Sequence, residues 1–257
     1  MRYFVELRYD GTCYCGWQRQ SEAVSVQQTL ENGLSTLLRE SIEVTGAGRT
    51  DTGVNAAYYV AHFDVSVPIV DCRQLVYKVN LILPKDISVM NIVAVASYAH
   101  ARFDAVQREY RYRIEQVKNP FTRGGSWQYY VPLDVDEMNR AAGSLLRYDD
   151  FTSFAKLNSN NKTNICHITH AGWWRDGDTL WFSIRADRFL RNMVRAIVGT
   201  LVDVGRGRYS AAEFEAIVAS RDLSRSSGSA PAQGLFLWDV LYPAAVFERK
   251  TLINNNV

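Results

Sequence analysis

No run of about 18 apolar residues occurs in this chain, so the sequence offers no candidate membrane span. Cysteine is scarce: Cys13, Cys15, Cys72 and Cys166 are the only four. They are too scattered for a disulfide framework, and no CxxC pair marks a zinc site. The N-terminus lacks the apolar stretch of a secretory signal, since Glu6 and Arg8 fall where one would have to lie. A reduced, cytoplasmic setting is therefore expected. Strong charge imbalance is also missing: 29 Lys and Arg stand against 27 Asp and Glu, a net charge of +2. That balance neither demands nor excludes a nucleic-acid partner, because the clustering of charges decides the matter. What is present, 47% hydrophobic and 22% charged residues over 257 positions, suits a soluble globular protein with room for one large or two small domains.

Periodicity divides the chain into two similar halves. Tyr3, Val5, Leu7 and Tyr9 alternate with Arg2, Glu6 and Arg8, which predicts a strand over 2–9. Ser25, three residues before Gln28, has the spacing of a helix cap, and Val26, Leu30, Leu34, Leu37 and Leu38 supply one apolar face. Strands are expected at 42–45 and 58–65. A helix capped by Asp71 must stop before Pro84, and a strand follows at 87–96. The second half repeats the order: a strand at 108–116, a further one at 126–131, a helix capped by Asp134, and strands at 165–174 and 179–186 around the turn signal Asp176-Gly177. A long helix over 189–204, a short one capped by Ser210 and a strand over 235–242 complete it. The tail at Asn254-Asn255-Asn256 is expected to fray. The repeated β-α-β-β-α-β order is that of the ferredoxin-like split βαβ unit. The expectation is an α+β chain of two ferredoxin-like domains, 1–104 and 105–257.

One loop concentrates unusual residues: Gly46-Ala47-Gly48-Arg49-Thr50-Asp51-Thr52-Gly53-Val54-Asn55. Its glycines permit close approach of a ligand to the backbone, and Arg49 and Asp51 add a cation and a candidate nucleophile or base. A tight turn whose polar residues face water explains the same composition. A dinucleotide fingerprint is excluded because its third glycine would fall on Asp51 and a strand, not a helix, follows. No Gly-Lys-Ser/Thr ending supports a Walker loop. His167 and His170 point to opposite faces of any strand, which argues against a shared metal.

Arginines gather elsewhere. Arg188, Arg191 and Arg195 are spaced to share a helix face, and Arg102, Arg108, Arg111, Arg113, Arg206, Arg208, Arg221 and Arg225 are interleaved with tyrosine and tryptophan. Cations with flat side chains suit RNA, where phosphates need charge and unstacked bases need a platform; a solvated basic face is the plainer explanation. An aspartate on a glycine loop in such surroundings needs a counter-charge to stay ionised, and Arg195 and Arg49 are the candidates. A non-catalytic RNA-binding protein of two such domains would show the same clusters. It would leave Arg49 and Asp51 without a role, and the aromatic strand motif of RNA-recognition domains is not found.

The loop Gly48-Arg49-Thr50-Asp51-x-Gly53-Val54 resembles the signature of the TruA-type tRNA pseudouridine synthases. So do Tyr9-Asp10-Gly11-Thr12-x-Tyr14-x-Gly16-Trp17-Gln18, His100-Ala101-Arg102-Phe103, Tyr110-Arg111-Tyr112, Asp150-Phe151-Thr152-Ser153-Phe154, Phe189-Leu190-x-x-Met193-Val194-Arg195 and Ala230-Pro231-x-x-Gly234-Leu235, in family order. The resemblance implies isomerisation of uridine to pseudouridine at positions 38, 39 and 40 of the tRNA anticodon stem-loop, without cofactor or metal, by a homodimer. It implies Asp51 as the nucleophile and Arg49 as the side chain that fills the place of the flipped base. Tyr110 would be the ring against that base and the catalytic group that handles its C5 proton, Arg195 the catalytic partner of Asp51, and Arg102 a further substrate-binding residue. The same resemblance implies that the sheets of the two domains form a central RNA-binding cleft. The chain departs from the bacterial pattern at Thr52, where alanine is usual, and at Asn55, where histidine is usual.

Overall fold

The structure, a computed structural model, describes residues 1–156 and 162–247. The terminal asparagines lie outside those residues. Strand β1 (Arg2–Tyr9) pairs antiparallel with β3 (Asn55–Asp64) on one side and β4 (Ile87–Ala94) on the other, and the two-residue β2 (Thr45–Gly46) pairs with β3. Helices α1 (Val26–Leu38) and α2 (Cys72–Ile82) connect these strands. In the second half, β5 (Gln107–Glu115) is flanked by β8 (Thr179–Ala186) and β9 (Leu235–Leu241), and β7 (Ile168–Asp176) lies outside β8. The two-residue β6 (Trp127–Gln128) pairs with β5. The helices here are α3 (Val135–Ser144), α4 (Met193–Gly205) and α5 (Ala211–Ser220).

The strand order is thus β4-β1-β3-β2 in the first half and β9-β5-β8-β7 in the second, each with its last strand beside its first. Separate sheets framing a cleft were expected; instead all the strands join in one mixed sheet. The joint is short: β3 and β9 run parallel through Asn55–Phe236 and Ala56–Leu237. Two apolar cores underlie the sheet, and each borrows from the other half. Leu237, Val240 and Tyr242 pack into the first core with Phe4 and Val60, while Val54 packs into the second with Tyr112 and Leu235.

All four predicted helix caps form: the side chains of Ser25, Asp71, Asp134 and Ser210 each accept a backbone N–H three residues on, satisfying donors a helix start leaves open. Three expectations fail. The strand placed at 42–45 is reduced to Thr45–Gly46, and the one at 126–131 to Trp127–Gln128. Helix α4 starts at Met193 rather than near 189, because Asn192 adopts φ +65°, a left-handed conformation that cannot continue a helix backwards. Among the described residues no helix is long and apolar enough to cross a membrane.

Candidate active site

Asp51 follows β2 on a loop held from beneath by aromatic side chains. The ring of Trp17 stacks on Tyr59 at 4.1 Å, and the Tyr59 hydroxyl donates to the Gly48 carbonyl. A Cβ on Gly46 would collide with that hydroxyl and with the Trp17 ring, so glycine here serves close packing rather than ligand approach. Gly48, by contrast, faces open space. Tyr9 and Thr50 share a hydroxyl hydrogen bond of 2.8 Å. Burial raises the Tyr9 pKa far above that of an exposed phenol, so it remains a neutral strut. Asn55 accepts from the Gly11 N–H at 2.8 Å and donates to the Gln233 carbonyl at 2.9 Å. A side-chain amide can do both at once, and here it stitches the loop to the opposite half.

Into this loop the second half sends two guanidinium groups. Arg191 Nε lies 3.6 Å from one Asp51 oxygen and Arg195 Nη1 lies 3.9 Å from the other. Both distances are ion pairs without hydrogen bonds. No described residue hydrogen-bonds the Asp51 carboxylate, which therefore sits between two cations with its oxygens unengaged. Arg195 is fixed by its own Nε donating to the Ala230 carbonyl at 2.7 Å, while the Ala230 N–H returns to the Arg195 carbonyl. Tyr110, on β5, stands edge-on to Phe189 at 5.1 Å. Burial, opposed by the Arg108 charge and aided by the smaller effect of Asp51, pushes its phenol up to about 12, so the group stays protonated throughout the neutral range.

The structure therefore brings Asp51, Arg195 and Tyr110 together. Arg49 is exposed and pairs with no carboxylate among the described residues, so of the two expected counter-charges only Arg195 approaches Asp51. Arg102 is also exposed, with its guanidinium 5.7 Å over the Phe103 ring, and makes no contact with Asp51. Arg191 was missed as a site residue. Its spacing to Arg195 suggests one shared helix face, but the backbone turn at Asn192 detaches it and swings it onto the carboxylate.

Several other arginines prove to be paired within the protein. Arg111 covers Trp238 at 4.2 Å and pairs with Glu109; Arg113 covers Trp181 at 5.4 Å and pairs with Glu115. Arg206 and Arg208 share Asp203, and Arg221 pairs with Asp150. His167 pairs with Asp149 and His62 packs on His100, partners that sequence did not supply.

Residues 141–243 match the family described as tRNA pseudouridine synthase, and with the full-length relatives that follow this places the chain among the pseudouridine synthases, a class of isomerases. It is 50% identical over 248 residues to the tRNA pseudouridine synthase A of Bacteroides fragilis, covering 96% of this chain and 98% of that one. Identity to the Bacteroides thetaiotaomicron protein of the same name is 51% over 253 residues, covering 97% and 94%. To that of Vibrio cholerae it is 39% over 249 residues, covering 95% and 93%. The chain belongs to the tRNA pseudouridine synthase A family.

Proposed function

We propose that this chain converts uridine to pseudouridine at positions 38, 39 and 40 of the tRNA anticodon stem-loop, with Asp51 as the nucleophile. The observation that carries the proposal is the Asp51 carboxylate, hydrogen-bonded by no described residue, between Arg191 and Arg195 and with its charge felt by Tyr110. The names of the relatives support tRNA as the substrate.

Uridine within a stem-loop stack must be extruded at a cost of a few kcal/mol. Arg49, exposed and without a carboxylate partner among the described residues, is available to occupy the vacated place. The base then lies against Tyr110, and the carboxylate attacks either C6 of the ring or C1′ of the ribose. The bond from N1 to C1′ breaks, the base turns and C5 bonds to C1′; the bond to Asp51 breaks to return the free carboxylate, the C5 proton passes to a base and N1 gains a proton. Nothing is added or lost overall, so the reaction needs neither cofactor nor metal. The two arginines keep Asp51 ionised once the RNA has displaced water. Tyr110, held protonated, serves as a flat partner and hydrogen-bond donor rather than as a resident phenolate.

We read each half as a ferredoxin-like domain, 1–104 and 105–257, because the last strand of each lies beside the first. Asp51 comes from one and Arg191 and Arg195 from the other, and in this reading the RNA cleft lies at their junction. The enzyme acts as a cytoplasmic homodimer in this reading, with one tRNA lying across both subunits.

Asp51→Asn is expected to bind tRNA with unchanged affinity and to stop release of the C5 hydrogen from labelled uridine. Turnover near the wild-type rate would remove Asp51 from its role. Pseudouridine mapping of tRNA treated with the purified wild-type protein reports the positions, and an unmodified product would leave an RNA-binding protein without catalysis.

A further inference from the structure

One arginine outside the Asp51, Arg191 and Arg195 cluster is hydrogen-bonded to both sides of the site. Arg108 is the second residue of β5, and its guanidinium donates to four backbone carbonyls. Nη1 reaches Ala105 and Asp187, each at 2.8 Å; Nη2 reaches Arg102 at 2.6 Å and Ala47 at 3.1 Å. No carboxylate pairs with it among the described residues. Desolvation lowers its pKa, outweighing the favourable effects of Tyr242, Tyr110 and Asp187. For stability alone such an arrangement is a poor choice, since an apolar side chain would avoid the desolvation.

The four carbonyls belong to three separate segments. Ala47 lies in the catalytic loop, shortly before Arg49 and Asp51. Arg102 and Ala105 lie in the connection between the halves. Asp187 opens the segment that runs to Arg191, and its carboxylate accepts the Arg188 and His167 N–H groups, so that segment is itself fixed. Tyr110 follows Arg108 by two residues on the same strand. One planar group is therefore bonded at once to the part that carries the carboxylate and to the part that carries its cations.

We propose that Arg108 is a positioning residue for pseudouridine formation: by bridging the Ala47 and Asp187 carbonyls it sets the separation between the Asp51 loop and the Arg191 segment. The inference rests on the reading of Asp51 as nucleophile. A lysine cannot replace it, because one ammonium with three donors does not span four carbonyls lying at the corners of a fork. A displacement of about 1 Å at reacting groups costs on the order of 10²-fold in rate.

The test is single-turnover kinetics on unmodified tRNA transcript with Arg108→Lys and Arg108→Gln, at saturating enzyme, with tRNA affinity measured separately over a salt series. Folded fraction is scored by thermal melting and rates are expressed per folded molecule. The expected result for Arg108→Lys is a rate at saturation about 10²-fold down, with affinity within about threefold of wild type and the salt slope unchanged. Arg108→Gln is expected to be slower still, and carries the test should the lysine variant fold poorly. An unchanged rate per folded molecule would overturn the proposal, leaving Arg108 a stabilising residue only. A loss confined to affinity, with a shallower salt slope, would overturn it in favour of a phosphate ligand. Asp51→Asn assayed in parallel isolates the underlying reading, since turnover surviving there overturns the nucleophile assignment whatever Arg108→Lys does.

Discussion

Two arginines face one carboxylate, but they are held differently. Arg195 is mostly buried and bonded through Nε to Ala230, whereas Arg191 is more than half exposed. In Arg195→Lys a single ammonium must choose between the Ala230 carbonyl and Asp51, although the charge is retained. Turnover at saturating tRNA is expected to fall about a hundredfold. Arg191→Ala removes a cation that solvent already screens, and a fall of about tenfold is expected, reduced further by salt. Equal losses in the two variants would show that position, and not burial, sets their importance. Arginine chemistry was readable from the chain, but partners were not. The rule that arginine is seldom buried unpaired pointed to RNA for Arg111 and Arg113, and the structure supplies Glu109, Glu115 and tryptophan rings instead. The role of Arg108 was invisible because its partners are carbonyls, which every residue possesses.

At the scale of elements, alternation and capping signals located most strands and helices because both are properties of neighbouring residues. Ser210 with Glu213 forms the full reciprocal capping box that its spacing predicts. The failures came where distant contacts decide. The 126–131 run has strand composition but finds a partner for only two residues, beside β5. The loop before α1 offers a sharp test of how elements shape the site. Gly16 has φ +82°, and a Cβ there would strike the Thr50 carbonyl, one residue from Asp51. Gly16→Ala is expected to destabilise the fold by roughly 1–3 kcal/mol, through strain at an unfavourable φ plus that collision. Because the collision is with the catalytic loop, turnover per folded molecule should fall as well. A melting shift with unchanged turnover would show that the loop relaxes without moving Asp51.

For the whole molecule, the two halves interlock at β3–β9, and His62 ties β3 to the segment that leads from one half to the other. This histidine is buried on β3 and its Nδ1 accepts the Ala101 N–H at 3.1 Å. Burial first, then the charges of Arg2 and His100, pull its pKa down to about 4, against smaller opposing effects of Asp64 and Asp104. The unfolded chain takes up a proton near pH 6.5 that the folded chain refuses until about 4. Stability from this site is therefore complete above 6.5 and is lost as pH falls through 4, a change on the order of 3 kcal/mol. Urea unfolding across that range should show a steep loss in the wild type and a shallower one in His62→Gln. Parallel pH curves would assign the acid sensitivity to other groups.

The position of β9 has a consequence for how the enzyme comes into being. It is synthesised after every other strand, yet it lies in the middle of the sheet, between β3 and β5. Until it emerges, the early strands have an open edge and the first core lacks Leu237, Val240 and Tyr242. Contacts so distant in sequence form slowly. A nascent chain can thus already carry Asp51, Arg191 and Arg195 without yet presenting them to one another. Emergence of β9, rather than of Asp51, Arg191 and Arg195 themselves, is what brings those three side chains to one another.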